Sequence, residues 1–202
     1  MRSRWNTYAN RGRPFEELLK LASSRYQAAG QGVVRKVPTE FLPIRDARGE
    51  VVSCKVEEKS CVDFLGRFYN IPVAVEAKHT DDRRIRFDRV EPHQAEYMDA
   101  WCKSPGSVGL VAVSFGMKRF FVVPWKFWEA ARSAWAAGGR RRPPGASVPV
   151  KGYGWFWDTP GKASVSPEEL LPDWEISAGG RYALPYLDII ERMAKGAQHG
   201  TE

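Results

Sequence analysis

Two carboxylates and a lysine, Asp63, Glu76 and Lys78, are the residues of this chain best placed to do chemistry. They lie in the segment VDFLGRFYNIPVAVEAK, where Tyr69 and Asn70 suit a two-residue hairpin turn, because Asn tolerates the positive φ that such turns need. Folding about that turn places Asp63 directly opposite Glu76, and directly opposed residues share a face with their Cβ atoms roughly 4.5–5.5 Å apart. Because side chains alternate along a strand, Lys78 shares this face with Glu76.

Opposed carboxylates repel each other in a sheet and need a compensating cation. A hard divalent ion such as Mg²⁺ suits them, because it is commonly held by one or two carboxylates and keeps several waters. With Lys78 beside a bound water or a pentavalent phosphate, the pattern predicts metal-assisted phosphodiester hydrolysis. The competing interpretation is a solvated Glu–Lys pair at a strand end, which the local pattern alone does not exclude.

The composition favours one globular domain with a polyanionic partner. The 202 residues suffice for a sizeable core, and a 43% hydrophobic fraction with 12% aromatic residues excludes wholesale disorder. The 31 Lys and Arg residues against 24 Asp and Glu residues give a net charge of +7 and a pI near 9.4. A basic balance of this size suits nucleic acid.

Cysteine usage and hydropathy predict a cytoplasmic protein. Cys54, Cys61 and Cys102 lack the C-x-x-C spacing of zinc sites, and their odd number suits a reducing compartment. No apolar run is long enough to span a bilayer, and the basic start is not followed by the apolar region of a secretory signal. We therefore expect neither a membrane anchor nor a signal peptide.

Basic residues cluster in two places where they could contact phosphates. One cluster lies in the first 13 residues, which form a basic N-terminal arm, and the other in the loop directly after the predicted hairpin. The second cluster also fits a solvated charge run, but it lies beside the carboxylates. The predicted DNA-contacting residues are Arg2, Arg4, Arg11, Arg13, Arg83, Arg84, Arg86 and Arg89.

Two predicted helices bring further polar side chains toward the carboxylates. Pro14 suits the first turn of a helix whose apolar residues keep helical spacing until a glycine stop near residue 30. Glu16 lies at the margin of its apolar stripe, where it either faces a site or simply favours the helix start. Glu91-Pro92 opens a second helix. Gln94 interrupts the apolar face of that helix, either as a metal-site residue or as a buried amide that satisfies the backbone.

Strong strand and helix patterns follow. VGLVAVSF and KRFFVVPW predict two core strands joined at Gly116-Met117, and KFWEAARSAWAA predicts a helix after them. Ser166 opens a short helix by its capping-box spacing, and a final helix is predicted at about Pro185–Ala194.

Two segments are predicted outside this core. Residues 41–58 read as a protruding hairpin or arm around the polar tip Asp46-Ala47-Arg48-Gly49. Residues 138–163 are rich in Gly, Pro, Arg and Trp and predict a long loop or insertion. That loop either tracks a phosphate backbone and stacks on bases or closes over the core.

These stretches, in this order and spacing, resemble the RecU-type Holliday junction resolvases of the restriction-endonuclease-like, or PD-(D/E)xK, nuclease superfamily. The resemblance covers roughly residues 10–135 and the C-terminal helix. Val62 stands where the superfamily motif has proline, and Cys61 stands where RecU-type proteins tend to carry a hydroxyl residue. The matching pieces are Asn10-Arg11-Gly12 with Phe15-Glu16, Val37-Pro38-Thr39, Asp63 with Glu76-Ala77-Lys78, His93-Gln94 with Met98, and Tyr186–Met193.

The resemblance implies one nuclease domain over residues 1–202, an α/β fold with a restriction-endonuclease-like core. Its mixed central β-sheet would be flanked by helices, with residues 41–58 as a protruding β-hairpin stalk that inserts at the junction centre. It further implies a homodimeric, Mg²⁺- or Mn²⁺-dependent endodeoxyribonuclease that nicks two strands of branched DNA symmetrically in recombination and repair, with a recombinase as a candidate partner.

The resemblance also implies roles for individual residues. By position, Asp63, Glu76 and Gln94 would be metal ligands, and Glu16 would lie near the metal as a catalytic-site acid. Lys78 would position the attacking water or stabilise the transition state. A metal contact from Cys61 would come from its backbone at most, because a hard cation prefers oxygen to sulfur.

Two other functions stay open on the sequence alone. One is a less selective duplex or flap nuclease on the same core. The other is a non-catalytic DNA-binding or recombinase-modulating protein with vestigial carboxylates. The intact Asp, Glu and Lys set argues against the second, since a pure binder gains nothing from acids that face phosphate.

Overall fold

A mixed six-stranded sheet is the centre of the fold. The computed structural model describes residues 12–58, 60–136, 148–149, 156–157 and 162–198. In spatial order the strands are β1 (Gly32–Lys36), β4 (Phe64–Phe68), β5 (Ile71–Thr80), β7 (Val108–Phe115), β8 (Arg119–Pro124) and β12 (Glu175–Ile176). β5 and β7 pair in parallel, and the other neighbouring strands of the sheet pair antiparallel.

Helices and short strand pairs flank this sheet. The helices are α1 (Arg13–Ala28), α2 (Pro92–Lys103), α3 (Trp125–Ala136) and α4 (Asp188–Gln198). Three two-stranded pairs accompany them: β2 (Glu40–Arg45) with β3 (Val51–Glu58), β6 (Ile85–Arg86) with β11 (Ser164–Val165), and β9 (Val148–Pro149) with β10 (Phe156–Trp157). The mixed sheet, its flanking helices and the separate β2–β3 hairpin confirm the fold class predicted from the sequence.

α1 forms because its apolar residues recur at helical spacing and pack on the sheet. Phe15, Leu19, Ala22 and Tyr26 are all buried, and Pro14 occupies the first turn as predicted. The helix ends at Ala28, just before Gly30, whose φ is +70°.

The β4–β5 hairpin turns at Tyr69 and Asn70, as predicted. Tyr69 has the positive φ of 48°, however, rather than Asn70, on which the prediction relied. Two hydrogen bonds hold this unfavourable conformation: the Tyr69 N–H donates to the Gln31 carbonyl at 2.5 Å, and Gln31 Nε2 donates to the Tyr69 hydroxyl at 2.8 Å. Tertiary contacts therefore overcome the local preference.

The remaining core elements follow the sequence pattern closely. Gly116 and Met117 both have positive φ values, 58° and 56°, and join β7 to β8. The short helix after Ser166 is a 3₁₀ turn, Pro167–Glu169, with the predicted capping box. α4 begins at Asp188, three residues later than predicted, because the preceding residues form a turn in which the Asp188 N–H donates to the Pro185 carbonyl.

The predicted arm is a separate, solvent-exposed hairpin, which we call the stalk (residues 40–58). Every β2 side chain is exposed, and so are those of residues 51–55 in β3. Its tip is closed by Asp46, whose N–H donates to the Glu50 carbonyl at 2.9 Å and whose Oδ1 accepts from the Arg48 N–H at 2.8 Å. Most of the predicted 138–163 loop lies outside the described residues. Within those residues, no helix has the length and apolarity needed to cross a membrane.

Candidate active site

The β4–β5 hairpin brings Asp63 to Glu76, as the spacing predicts. Phe64 pairs with Val75, so the preceding residue Asp63 stands opposite Glu76. Asp63 is fixed twice: its Oδ2 accepts a hydrogen bond from the Ala77 N–H at 2.9 Å, and its carbonyl accepts from the Val37 N–H at 2.8 Å. The carboxylate is thus held at the edge of the parallel β5–β7 pair.

Glu76 is completely buried, and its charge depends on its neighbours. Its Oε1 lies 2.5 Å from Lys78 Nζ and accepts from Gln94 Nε2 at 2.8 Å. Its Oε2 is buried without a hydrogen-bond partner in the described part of the chain. Burial, followed by the negative charge of Asp63, raises the pKa of Glu76 to about 8 despite the opposing effect of Lys78. The single positive charge of Lys78 therefore does not offset the burial of this carboxyl and the charge of Asp63.

Gln94 connects the two motif residues to α2. Its Oε1 accepts from Lys78 Nζ at 3.1 Å and from the Glu91 N–H at 3.0 Å, and its Nε2 donates to Glu76. The amide satisfies the backbone at the helix start, as one of the two interpretations expects, and it also contacts Lys78 and Glu76, while its role as a metal ligand stays a prediction. With its oxygen engaged by Lys78 and Glu91, Gln94 positions these groups.

Glu16 reaches the same place from the first turn of α1, paired with a residue that sequence reasoning missed. Lys36, the last residue of β1, forms an ion pair with Glu16, and its Nζ lies 3.8 Å from Asp63 Oδ1. Lys36 pairs with Phe64 across β1 and β4, which sets it beside Asp63. Its only sequence signal is its place directly before the Val37-Pro38-Thr39 match.

One cavity collects these side chains. Glu16, Asp63, Glu76, Lys78 and Gln94 all line it. At its other end lie residues that the sequence analysis did not assign to the site: His79, Asp81, Asp82 and the predicted DNA contact Arg89. His79 is fixed by Ser114 Oγ at 3.1 Å and by Asp81 Oδ1 at 3.1 Å, and the guanidinium of Arg89 donates to the His79 carbonyl at 3.4 Å.

The other predicted DNA contacts are less uniform. Arg84 donates to Ser164 and to Glu169 at 2.7 Å, and Arg86 is paired with Asp88 at 2.5 Å, so both hold the loop in place. Arg13 and Arg83 are exposed. Arg2, Arg4 and Arg11 lie outside the described residues.

Cys61 is not among the residues that line the cavity. Its half-buried side chain packs against the core. Burial and the neighbouring Cys61 thiol raise the pKa of the Tyr97 hydroxyl, which locates the sulfur beside that ring. A contact from the Cys61 backbone to a hard cation stays a prediction.

The donor set suits a hard divalent cation held mainly by water. No three His, Cys, Asp or Glu side chains converge on one metal-binding point within the described ranges. Mg²⁺ needs only one or two carboxylates and keeps its remaining waters. Asp63 and Glu76 supply these carboxylates, and the unpartnered Oε2 of Glu76 is a buried oxygen that such an ion would satisfy.

Comparison with known proteins gives a consistent set of similarities. Residues 10–154 match the family model described as "RecU: Recombination protein U". The chain is 22% identical over 197 residues to Holliday junction resolvase RecU of Streptococcus pneumoniae (strain Taiwan19F-14), covering 95% of this chain and 88% of that protein. It is 24% identical over 202 residues to Holliday junction resolvase RecU of Streptococcus equi subsp. zooepidemicus (strain MGCS10565), covering 95% and 87%.

Among solved structures, the chain is similar to Hjc of Archaeoglobus fulgidus, a Holliday junction resolvase from an archaeal hyperthermophile. The sequence identity is 15% and the TM-score is 0.38, over 57% of this chain and 78% of the archaeal one.

Proposed function

We propose that this chain, which belongs to the RecU (recombination protein U) family, is a divalent-metal-dependent endonuclease that resolves four-way DNA junctions. The observation that carries the proposal is the buried Glu76 beside Asp63 and Lys78, with one carboxylate oxygen unpartnered in the described structure. A protein that only binds DNA has no use for acids held where phosphate must approach. The names of the relatives supply the substrate class, a four-way junction.

Asp63 and Glu76 are the proposed metal ligands, for Mg²⁺ or Mn²⁺. When bound, the ion would neutralise both carboxylates and supply the Lewis-acid chemistry of phosphodiester hydrolysis. Lys78 is held by Glu76 and Gln94 with only 12% of its side chain exposed. We assign it to position the attacking water or to stabilise the charge that develops on the phosphate.

Glu16 and Lys36 lie together on the side of the site next to Asp63. Their ion pair places a cation 3.8 Å from Asp63, where it orients that carboxylate and faces incoming phosphate. Gln94 acts as a positioning residue, because it fixes Lys78 relative to Glu76 and links both to the start of α2.

DNA would be held mainly through its phosphates. The net charge of +7 favours polyanion binding, and Arg89 in the cavity together with exposed Arg13 and Arg83 supports phosphate contacts near the site. We assign junction preference to a homodimer, in which two sites face two strands, and to the stalk, which would enter the junction centre. The family description supports action in recombination, and a recombinase is the proposed partner there.

The proposal is tested by cleavage of a synthetic four-way junction and a linear duplex of matched sequence, each with Mg²⁺ or EDTA. Wild type should nick the junction symmetrically in Mg²⁺ and leave it uncut in EDTA. Asp63→Ala and Lys78→Ala should keep junction binding and lose cleavage by at least a hundredfold, roughly the loss of one key electrostatic group.

Full Mg²⁺-dependent nicking by either variant would show that the substituted residue is not part of the catalytic site. Equal cutting of duplex and junction would replace junction resolution with a less selective nuclease. An effect on DNA that EDTA leaves unchanged would point to a non-catalytic binder.

A further inference from the structure

α1 and β1 form the walls of a polar groove that starts at the candidate active site, which we call the α1–β1 groove. Glu16, Lys20, Ser24 and Gln27 follow one another at helical spacing along α1. β1 returns beside them, and its last residue, Lys36, pairs with Glu16 at the start of the groove. From Glu16 to Gln27 the helix rises roughly 17 Å, at about 1.5 Å per residue.

The groove continues past the end of α1 to the β4–β5 turn. Gln27 lines both the cavity against β1 and a second cavity, which also contains Gln31, Arg67, Tyr69 and Asn70. Tyr69 marks the far end: its φ is 48°, it is 48% exposed, and its hydroxyl accepts a hydrogen bond from Gln31 Nε2 at 2.8 Å. The exposed part of its ring is available for contact with a ligand.

The charge of the groove is one-sided. Lys20, Arg35, Lys36 and Arg67 line it, and apart from Glu16, which pairs with Lys36 at its start, the described residues place no acidic side chain along either cavity. Glu17 lies nearby and pairs with Lys20 at 2.7 Å, but both side chains are about half exposed and such surface pairs are weak.

Lys36 and Gln31 are held by Glu16 and Tyr69, but the polar contact between Arg35 and Gln27 is also weak. Arg35 donates to Gln27 at 3.4 Å, a long hydrogen bond. An anion could therefore replace both the Lys20–Glu17 pair and the Arg35–Gln27 bond without leaving a buried group unpaired.

We propose that the α1–β1 groove binds the sugar-phosphate backbone of the DNA strand that enters the active site, a proposal that rests on the nuclease function above. Its cations and the side-chain amide of Gln27 are groups that bind phosphate oxygens without reading sequence. Because a duplex strand winds around the axis as it rises about 3.4 Å per phosphate, a straight groove of this length contacts only a few consecutive phosphates of that strand. Tyr69 ends the track with a ring that a sugar or an unpaired base can contact.

The test measures DNA binding without cleavage, with Ca²⁺ in place of Mg²⁺. Lys20→Gln and Arg67→Gln are compared with Lys103→Gln, a matched control at the exposed end of α2 that lines neither cavity. Affinity for a four-way junction and for a linear duplex is followed from 50 to 200 mM salt. Each groove variant should weaken both complexes by roughly tenfold at low salt, as expected for a lost charged hydrogen bond.

The slope of log affinity against log salt concentration should also fall by about 1 for each groove variant and by about 2 for the double variant. Lys103→Gln should change neither quantity, and Lys20→Arg, which keeps the charge, should retain the affinity. Thermal melts of each variant establish that it is folded. Groove variants that match Lys103→Gln in affinity and slope overturn the proposal.

A second measurement locates the strand. Neutral methylphosphonates are placed singly along each strand beside the cut site. Wild type should lose affinity at a few consecutive positions on one side of the cut, and Lys20→Gln/Arg67→Gln should be insensitive there. Equal sensitivity in both proteins overturns the groove. Since none of these readouts needs cleavage, a wild type that fails to cut junctions would refute the proposed function and leave the groove result readable.

Discussion

Glu76 carries an electrostatic cost in the metal-free protein. Its pKa of about 8, against an ordinary 4.5, reflects its burial and the nearby charge of Asp63. Because the folded-state pKa is the higher one, its contribution to stability is complete below about pH 4.5 and is lost as the pH rises through 8. In EDTA, the free energy of unfolding should therefore fall by a few kcal/mol between pH 5 and 9. Denaturant titrations across this range measure the change.

Glu76→Gln is the matched variant for this prediction, since the amide keeps the shape of the side chain and removes its titration. It should flatten the pH profile in EDTA. Mg²⁺ added at pH 8 should stabilise wild type by binding its native state, and should do so far less in the variant. Profiles that coincide for wild type and variant would mean that Glu76 titrates normally.

Lys36 is the second residue whose removal gives a clear expectation. Without it, Glu16 and Asp63 would face each other with no cation between them, and phosphate would meet one positive charge fewer. Lys36→Gln should lower the single-turnover cleavage rate at least tenfold, a typical effect for one charged hydrogen bond. Junction affinity in Ca²⁺ should change by only a few fold, less than in Lys20→Gln, because the charge of Lys36 is already paired with Glu16. A rate equal to that of wild type would make Lys36 purely structural.

The parts of the site that sequence could predict are those joined by local structure. Asp63 and Glu76 belong to one hairpin, so the turn alone sets their register. Lys36 was not predicted because its position depends on the pairing of β1 with β4. This pairing joins residues 28 positions apart, and the sequence pattern of neither strand indicates it. The same holds for Arg84, whose partner Glu169 comes from the far end of the described chain. A single sequence does not show which strands pair when they lie far apart along the chain.

Among the elements, the stalk is the one that the core does not need. Its strands pair only with each other, and none of its described side chains is buried. Five large apolar side chains of the stalk are each at least 47% exposed, although apolar residues of this size are usually buried. They are Phe41, Leu42, Ile44, Val51 and Val52. Such a surface is retained for contacts made outside the monomer core.

Removing the stalk should therefore separate junction selectivity from catalysis. Glu40 and Glu58 are register partners, so a short Gly-Ser-Gly bridge can replace residues 41–57 without moving the sheet. The shortened protein should melt within a few degrees of wild type, since surface changes cost little. It should cut a junction and a matched duplex at similar rates. A protein that still prefers junctions by its original ratio would assign selectivity to another element.

At the level of the whole molecule, the described chain contains one site, and resolving a junction requires two cuts. One cavity holds Asp63, Glu76 and Lys78, so a second cut must come from a second copy or from a second binding event. A homodimer brings two sites to one junction at a high effective concentration. Two independent encounters would instead give cuts that are unrelated in time.

A supercoiled plasmid with an extruded cruciform distinguishes these routes, because paired cuts in one encounter give linear DNA and a single cut gives a nicked circle. Wild type should produce mainly linear product. Co-folding wild type with excess Asp63→Ala should form mixed dimers with one working site and shift the product to nicked circles. Inactive dimers that merely compete for junctions would slow the reaction without changing the ratio of linear to nicked DNA. Mainly nicked circles from wild type itself would show that each chain cuts alone.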